Sequence, residues 1–90
     1  MKHNIYYKEK VQSLGFELNG KYISVGVIEP GSYKFSTEHY EIVTILEGAI
    51  TVKINYETSR VDKGGSYEVE KNKEFEVSCE DPVAYICYYK

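Results

Sequence analysis

The sequence predicts an all-β domain, a closed barrel or jelly roll of about eight to nine antiparallel strands. Short runs rich in β-branched and aromatic residues recur roughly every 8–12 positions, and turn residues separate them. No segment repeats its apolar residues with a helical period. A closed sheet is favoured for so many short strands, because closure removes exposed edges.

The first strands are predicted around a hairpin. Residues 11–16 are β-rich, and the pair Asn19-Gly20 follows them. This pair suits a type I′ turn, in which both central residues need positive φ. Residues 21–28 then form the return strand, and the turn at 29–32 leads into a short strand at 33–37.

The middle of the chain is predicted to hold the most buried strand. Residues 40–46 are almost continuously apolar, so both faces of this strand are expected to be covered. A tight turn at Glu47-Gly48 leads to residues 49–56, which alternate apolar and polar side chains. Residues 57–60 are polar and are predicted to be a connection. The last predicted strands are residues 66–69, 75–79 and 83–89.

Length and charge bound the classes of function. Ninety residues make one domain at residues 10–90, preceded by a tail or short edge strand at 1–9. So small a domain is marginally stable alone, which favours a homodimer. The net charge of −3 and the absence of a basic patch argue against a nucleic-acid partner.

The chain is predicted to work in the cytoplasm. No apolar leader segment and no apolar run of membrane-spanning length occurs, so neither export nor a membrane partner is expected. Cys79 and Cys87 do not form a CxxC pair, and two reduced thiols are expected.

Three polar residues lead into the most apolar strand. If extended geometry continues through Thr37, His39 and Glu41, a period of two places them on one face with Val43 and Ile45. These side chains then line the mouth of a pocket. A solvated strand end explains the same pattern equally well.

A second candidate face lies near the end of the sequence. Tyr85, Cys87 and Tyr89 share one face of the last strand, and Ile86 and Tyr88 share the other. Tyr85 could donate a hydrogen bond or offer a stacking surface to a ligand. Packing is the expected role of most of these tyrosines, and Cys87 is expected to be a buried small hydrophobe rather than a nucleophile.

A metal site is not expected. Cupin barrels often hold a metal through three His and one Glu, and their usual first motif runs Gly-x5-His-x-His-x3,4-Glu-x6-Gly. Gly31, Glu41 and Gly48 fit parts of this motif. Thr37 replaces its first His, however, and the spacing from His39 to Glu41 is too short.

The order and spacing of several short motifs across residues 10–90 resemble one family of small cupins. The motifs are KVQSLGF at 10–16, SVGVI at 24–28, PGSYKFST at 30–37, VTILEG at 43–48, GGSYEV at 64–69 and YICYY at 85–89. The family is the pyrimidine/purine nucleoside phosphorylases. His39, Tyr40 and Glu70 depart from the family pattern, and the loop at 57–60 is shorter and lacks a tryptophan.

The resemblance implies a cupin-type barrel, a double-stranded β-helix, that cleaves purine and pyrimidine nucleosides with phosphate. The products would be the free base and ribose 1-phosphate. It also implies a dimer that needs no metal and no cofactor other than inorganic phosphate as co-substrate.

The residues expected to carry this chemistry follow from the charges that it develops. Glu41 would stabilise the oxocarbenium-like ribose, and Tyr85 would hydrogen bond to the departing base with His39 as a possible general acid. The expected phosphate ligands are Lys34, Ser36, Thr37 and, more weakly, Lys53.

Other classes of protein fit the same pattern. A non-catalytic cupin that binds a sugar or a nucleotide would use the same pocket. A metal-dependent cupin enzyme and a structural dimer module are further alternatives, and the missing His ligands count against the first of these two.

Overall fold

The computed structural model describes residues 1–90 and contains ten β-strands. No helix long and apolar enough to cross a membrane is present. In chain order the strands are β1 Lys2–Tyr6, β2 Val11–Leu18, β3 Lys21–Ile28, β4 Gly31–Ser36, β5 Glu41–Glu47, β6 Ala49–Ile54, β7 Glu57–Asp62, β8 Ser66–Val69, β9 Glu74–Cys79 and β10 Val83–Tyr89.

The strands form two antiparallel sheets. The six-stranded sheet has the order β1-β2-β3-β10-β5-β8, and the four-stranded sheet has the order β4-β9-β6-β7. The prediction of an all-β fold is therefore confirmed, but the prediction of a closed barrel is wrong, because no ladder of hydrogen bonds joins the two sheets. The sheets instead pack face to face over one core. That core takes Val11, Ile45 and Val83 from the larger sheet, and Val52 and Val77 from the smaller.

Two exposed strands account for the excess over the predicted eight to nine. The segment predicted as a tail or short edge strand contains β1, which pairs with β2 from Lys2↔Gly15 to Tyr6↔Val11. The prediction that residues 57–60 are only a connection is wrong, since they belong to β7 at the edge of the smaller sheet. An edge strand open to water keeps polar side chains, and in β7 only Val61 is buried.

Local backbone conformation confirms the predicted hairpin turn. Asn19 and Gly20 have φ values of 53° and 78°, as a type I′ turn requires. Gly48, between β5 and β6, has φ of 88°, and a Cβ there would lie 2.7 Å from the carbonyl oxygen of Pro82. Only glycine fits this turn without strain.

The central pair of strands in the larger sheet places the polar residues that matter most. β10 lies between β3 and β5, and Glu41, Val43 and Ile45 of β5 pair with Tyr89, Cys87 and Tyr85 of β10. Directly paired residues point to the same face of a sheet. All six side chains therefore point toward the smaller sheet.

Candidate functional site

A cavity of about 460 Å³ opens between the two sheets. Its volume lies within the range of small-molecule sites, roughly 300–1,000 Å³. Most of its lining is apolar or aromatic, with a few polar groups. The lining residues are Tyr6, Tyr7, Ser13, Ile28, Lys34, Phe35, Ser36, Glu41, Val43, Ile45, Ile50, Tyr67, Phe75, Val77, Tyr85, Cys87 and Tyr89.

Glu41 is the single acidic side chain in this lining. It opens β5, is half-buried, and accepts a hydrogen bond from the Cys87 thiol at 3.6 Å between Sγ and Oε1. Burial raises the pKa of the Glu41 carboxyl above its ordinary value, while the Cys87 hydrogen bond and the charge of His39 oppose that shift. A partly desolvated carboxylate inside an apolar cavity interacts strongly with any positive charge that forms near it.

Three tyrosines line the same cavity as this carboxylate. Burial raises the pKa of Tyr85 to about 12, although the Ser13 hydroxyl opposes the shift. Burial also raises the pKa values of Tyr67 and Tyr89, and the hydroxyls of Tyr89 and Ser24 lie 2.9 Å apart. All three phenols are therefore neutral at pH 7 and can donate hydrogen bonds to a ligand.

Cys87 remains a thiol in this setting. Burial first, and the nearby Glu41 carboxylate second, raise its pKa to about 12. A thiolate is the nucleophilic form of cysteine, so Cys87 has little nucleophilic character at neutral pH. Its role here is to fill space and to donate to Glu41.

The structure brings four of the seven candidate site residues to the cavity. Glu41 and Tyr85 lie inside it, whereas Lys34 and Ser36 border it from β4, where they are exposed and alternate with the inward-facing Phe35. Lys53 lies instead in a shallow outer depression, which Lys34 also borders.

The predicted alignment of Thr37, His39 and Glu41 on one face is wrong. β4 ends at Ser36 and β5 begins at Glu41, with a bend at residues 38–39 between them, so alternation does not continue through the segment. Thr37 is buried and His39 is exposed, and neither lines the cavity. Only Glu41, Val43 and Ile45 share the predicted face.

Thr37 ties the backbone of two segments together. Its side chain is 3% exposed, and Oγ1 donates to the carbonyl oxygen of Glu70 at 2.6 Å. The same oxygen accepts from the amide of Lys73 at 3.0 Å. The hydroxyl is thus fully used within the protein.

We expect Thr37→Val to destabilise the fold without weakening the phosphate binding that the family resemblance implies for Thr37. The substitution keeps the shape of the side chain but leaves a part-buried carbonyl and a part-buried amide without their partner, which costs up to about 1–3 kcal/mol. Urea unfolding measures this loss, and the phosphate dependence of activity in the folded variant measures the second part. A raised phosphate requirement at unchanged stability would contradict the structural role.

The cavity does not gather the ligands that a tight metal site needs. No group of three or more His, Cys, Asp or Glu side chains comes together anywhere in the chain. Glu41 and Cys87 are the two potential metal ligands of these types in the cavity lining.

Nine residues of the cavity lining were missed from the sequence: Tyr6, Tyr7, Ser13, Ile28, Phe35, Ile50, Tyr67, Phe75 and Val77. Ser13, Phe35 and Tyr67 alternate with exposed or half-exposed neighbours in their strands, which is a signal for an inward face but not for a cavity. Tyr6 and Tyr7 lie in the segment predicted as a tail or edge strand, where no pattern marks an inward face.

Comparisons with known proteins agree on one family. The model of the family described as pyrimidine/purine nucleoside phosphorylase matches residues 1–89. A protein of Aliivibrio fischeri with that name is 42% identical over 88 residues, which is 96% of this chain and 95% of the relative. A protein of Sorangium cellulosum with the same name is 35% identical over 91 residues, which is 99% and 98% of the two chains.

Solved structures agree on the fold. A crystal structure of a protein of unknown function from Vibrio parahaemolyticus matches with a TM-score of 0.94 and 41% identity over 99% of this chain and 97% of that chain. A cupin-2 domain containing protein from Shewanella frigidimarina matches with a TM-score of 0.74 at 12% identity, over 94% and 80% of the two chains. The second likeness concerns the fold alone and confirms its cupin type.

Proposed function

This chain belongs to the pyrimidine/purine nucleoside phosphorylase family, and we propose that it cleaves purine and pyrimidine nucleosides with inorganic phosphate. The products are the free base and α-D-ribose 1-phosphate, so the reaction is a pentosyl transfer. The observation that supports this proposal most directly is the Glu41 carboxylate among neutral tyrosine hydroxyls in a cavity of suitable volume.

The proposed role of Glu41 is electrostatic. The bond between C1′ and the base nitrogen breaks, and its electron pair leaves with the base, so positive charge develops on the ribose. A fixed carboxylate in a partly desolvated site stabilises that charge. An oxygen of hydrogen phosphate then forms the new bond to C1′, and the base nitrogen takes the proton that the hydrogen phosphate gives up.

The departing base needs a hydrogen-bond donor, and Tyr85 is the proposed one. Its hydroxyl is neutral at pH 7, since burial raises its pKa to about 12. Tyr85 lies on the inner face of β10, two residues before Cys87. His39 acts in this scheme only through its charge, which lowers the pKa of Glu41.

Phosphate is proposed to bind at the mouth of the cavity. Lys34 is the single cationic residue that borders the cavity, and Ser36 lies on the same exposed face of β4. A lysine ammonium with a neighbouring hydroxyl suits a phosphate that must approach from solvent. Lys53 lies outside the cavity and at most adds to the positive potential near Lys34.

The assay that tests the proposal is release of free base from uridine, inosine, adenosine, guanosine, thymidine and cytidine, with and without phosphate. Each reaction is repeated with a chelator. Release that requires phosphate and survives the chelator supports the proposal. Stabilisation by nucleosides without any release would instead assign the cavity to a non-catalytic binding protein.

The loss of activity at acidic pH should begin at a higher pH than an ordinary glutamate would give. The mechanism needs Glu41 ionised, and burial raises its pKa, so the active carboxylate is lost at a higher pH than for an ordinary glutamate. We expect kcat/KM to fall as pH decreases, with a midpoint above the usual Glu range of about 4.3. A profile that stays flat down to that range would contradict the role of the carboxylate.

We also propose a homodimer formed through the outer face of the six-stranded sheet. Leu14, Val25 and Ile86 are successive partners across β2, β3 and β10 on that face, and Val27 and Tyr88 beside them are exposed. These side chains carry no charge, so two copies can pack here about a two-fold axis without burying a charged group.

Val25→Lys should convert the dimer to a monomer, because an isologous contact brings each lysine into the same apolar interface. Light scattering coupled to size exclusion reports the mass directly. Ser59→Lys, on the exposed strand β7, is the matched control and should leave the mass unchanged. A wild-type protein that is monomeric at micromolar concentration would rule out this interface.

The proposed setting is nucleoside salvage in the cytoplasm. Both cysteines are free, which suits a reducing compartment. Single nucleosides, rather than nucleic acids or membranes, are the proposed ligands, because the cavity is small and the net charge is −3.

A further inference from the structure

The turn between β1 and β2 has an unusual backbone. Tyr7, Lys8 and Glu9 follow one another with φ values of 50°, 54° and 73°. Three successive non-glycine residues in the left-handed region are rare, because each Cβ crowds the following carbonyl. Surrounding contacts must therefore hold this turn in place.

Tyr7 supplies those contacts. Its hydroxyl donates to the carbonyl oxygen of Lys34 and accepts from the Lys34 amide at 3.0 Å. Its ring lies 5.0 Å from that of Tyr33 and 5.7 Å from that of Phe35. Because Lys34 belongs to β4, Tyr7 connects the edge of the larger sheet to the edge of the smaller sheet across the mouth of the cavity.

The same turn fixes the ring of Tyr6 at the cavity. Tyr6 pairs with the buried Val11, so its side chain points to the inner face of the sheet. Its ring meets the ring of Phe35 edge to face, with centroids 6.0 Å apart and planes at 86°. Tyr6 is close enough to Tyr85 to contribute to the raised pKa of that hydroxyl.

Tyr6 has an unused surface despite this position. It lines the cavity yet remains 46% exposed. Two perpendicular rings at a cavity mouth offer a planar ligand one face for stacking and one edge for a T-shaped contact, both favoured aromatic geometries. A nucleobase is such a planar ligand.

We propose that Tyr6 stacks on the nucleobase, with Phe35 completing an aromatic corner, and that Tyr7 is the positioning residue that holds Tyr6 there. This inference rests on the proposed function and deepens it. Stacking uses the π-face that every base has, and therefore tolerates both purines and pyrimidines. The breadth of substrates thus comes from the first strand of the chain.

Binding of free adenine and free uracil, measured by calorimetry, tests the role of Tyr6 without requiring turnover. Tyr6→Ala should weaken both bases about tenfold or more, on the scale of a lost base–aromatic stack. Tyr6→Phe keeps the ring and should bind both bases like the wild type. Tyr56→Ala is the matched control, because Tyr56 is 96% exposed on another turn, and should also bind like the wild type.

Tyr7→Phe tests the positioning role, because it removes only the hydroxyl that bonds to Lys34. We expect a severalfold rise in KM for both a purine and a pyrimidine nucleoside, larger than any rise in KM for phosphate. An equal rise in the KM for nucleosides and the KM for phosphate would indicate a general loosening and would overturn this role.

The outcomes separate this inference from the proposed function. Equal base affinity in Tyr6→Ala and the wild type, or no base binding by the wild type, would overturn the stacking role whatever the phosphorolysis assay shows. Base binding that depends on the Tyr6 ring, without phosphorolysis of any nucleoside, would support the stacking role and overturn the phosphorylase.

Discussion

Glu41→Gln is expected to lower turnover about 100-fold, the scale of losing one preorganised electrostatic group. The amide has nearly the same shape and can still accept the hydrogen bond from Cys87. It carries no charge, however, and cannot stabilise positive charge on the ribose. Initial rates with inosine and uridine at saturating phosphate measure the effect.

The matched control is Glu47→Gln at the other end of β5. Glu47 is exposed and pairs with Lys63 at 2.6 Å, away from the cavity. We expect it to keep wild-type turnover. Unchanged turnover in Glu41→Gln would remove Glu41 from the mechanism.

Glu41→Gln should also make the protein more stable at neutral pH. Burial raises the pKa of Glu41, so the folded state disfavours the carboxylate that is present at pH 7. As pH falls through the raised pKa, Glu41 takes up a proton in the folded state and the wild-type protein becomes more stable. The stability advantage of Glu41→Gln over the wild type therefore disappears at acidic pH. Thermal unfolding of both proteins at neutral and acidic pH tests this exchange of stability for function.

Gly26→Ala is expected to destabilise the fold by about 1–3 kcal/mol, the usual cost of overpacking, and to abolish activity. Gly26 pairs with Tyr85 on one side and with Ser13 on the other. An added Cβ would lie 2.6 Å from the carbonyl oxygen of Gln12 and 2.7 Å from Cζ and Oη of Tyr85. The backbone cannot yield easily, so the Tyr85 ring must leave its place.

Urea unfolding and phosphorolysis rates measure the two parts of this prediction. Gly64→Ala is the comparison, because a Cβ there meets no atom within 4 Å and adds only the strain of φ at 88°. It should retain activity. A Gly26→Ala protein with wild-type stability and turnover would show that the room behind Tyr85 is not needed.

The sequence predicts the buried strands better than the exposed ones. β3 and β10 have the bounds that the sequence predicts. One face of each strand packs against the core, and this burial leaves a recognisable pattern in the sequence. β7 was missed because Glu57, Thr58, Ser59 and Arg60 are all exposed, and a polar edge strand resembles a loop. Local pattern reports burial, and an edge strand has little of it.

The candidate site was predictable where it depends on one strand. A period of two suffices to place Glu41 with Val43 and Ile45, and Tyr85 with Cys87. The bend after Thr37 was not predictable in this way, because Thr37 there bonds to the backbone of Glu70, 33 residues away in the chain. The contribution of Tyr6 likewise depends on β1 pairing at the sheet edge, which no local pattern encodes.

The position of β10 has a consequence for how the protein is made. The last strand of the fold in chain order lies between β3 and β5, so neither neighbour has its central partner until β10 has been synthesised. While the ribosome translates the earlier segments, the apolar strand β5 has only the short strand β8 as a sheet partner. Assembly of the larger sheet must therefore follow translation of β10, and the nascent chain is exposed to aggregation until then.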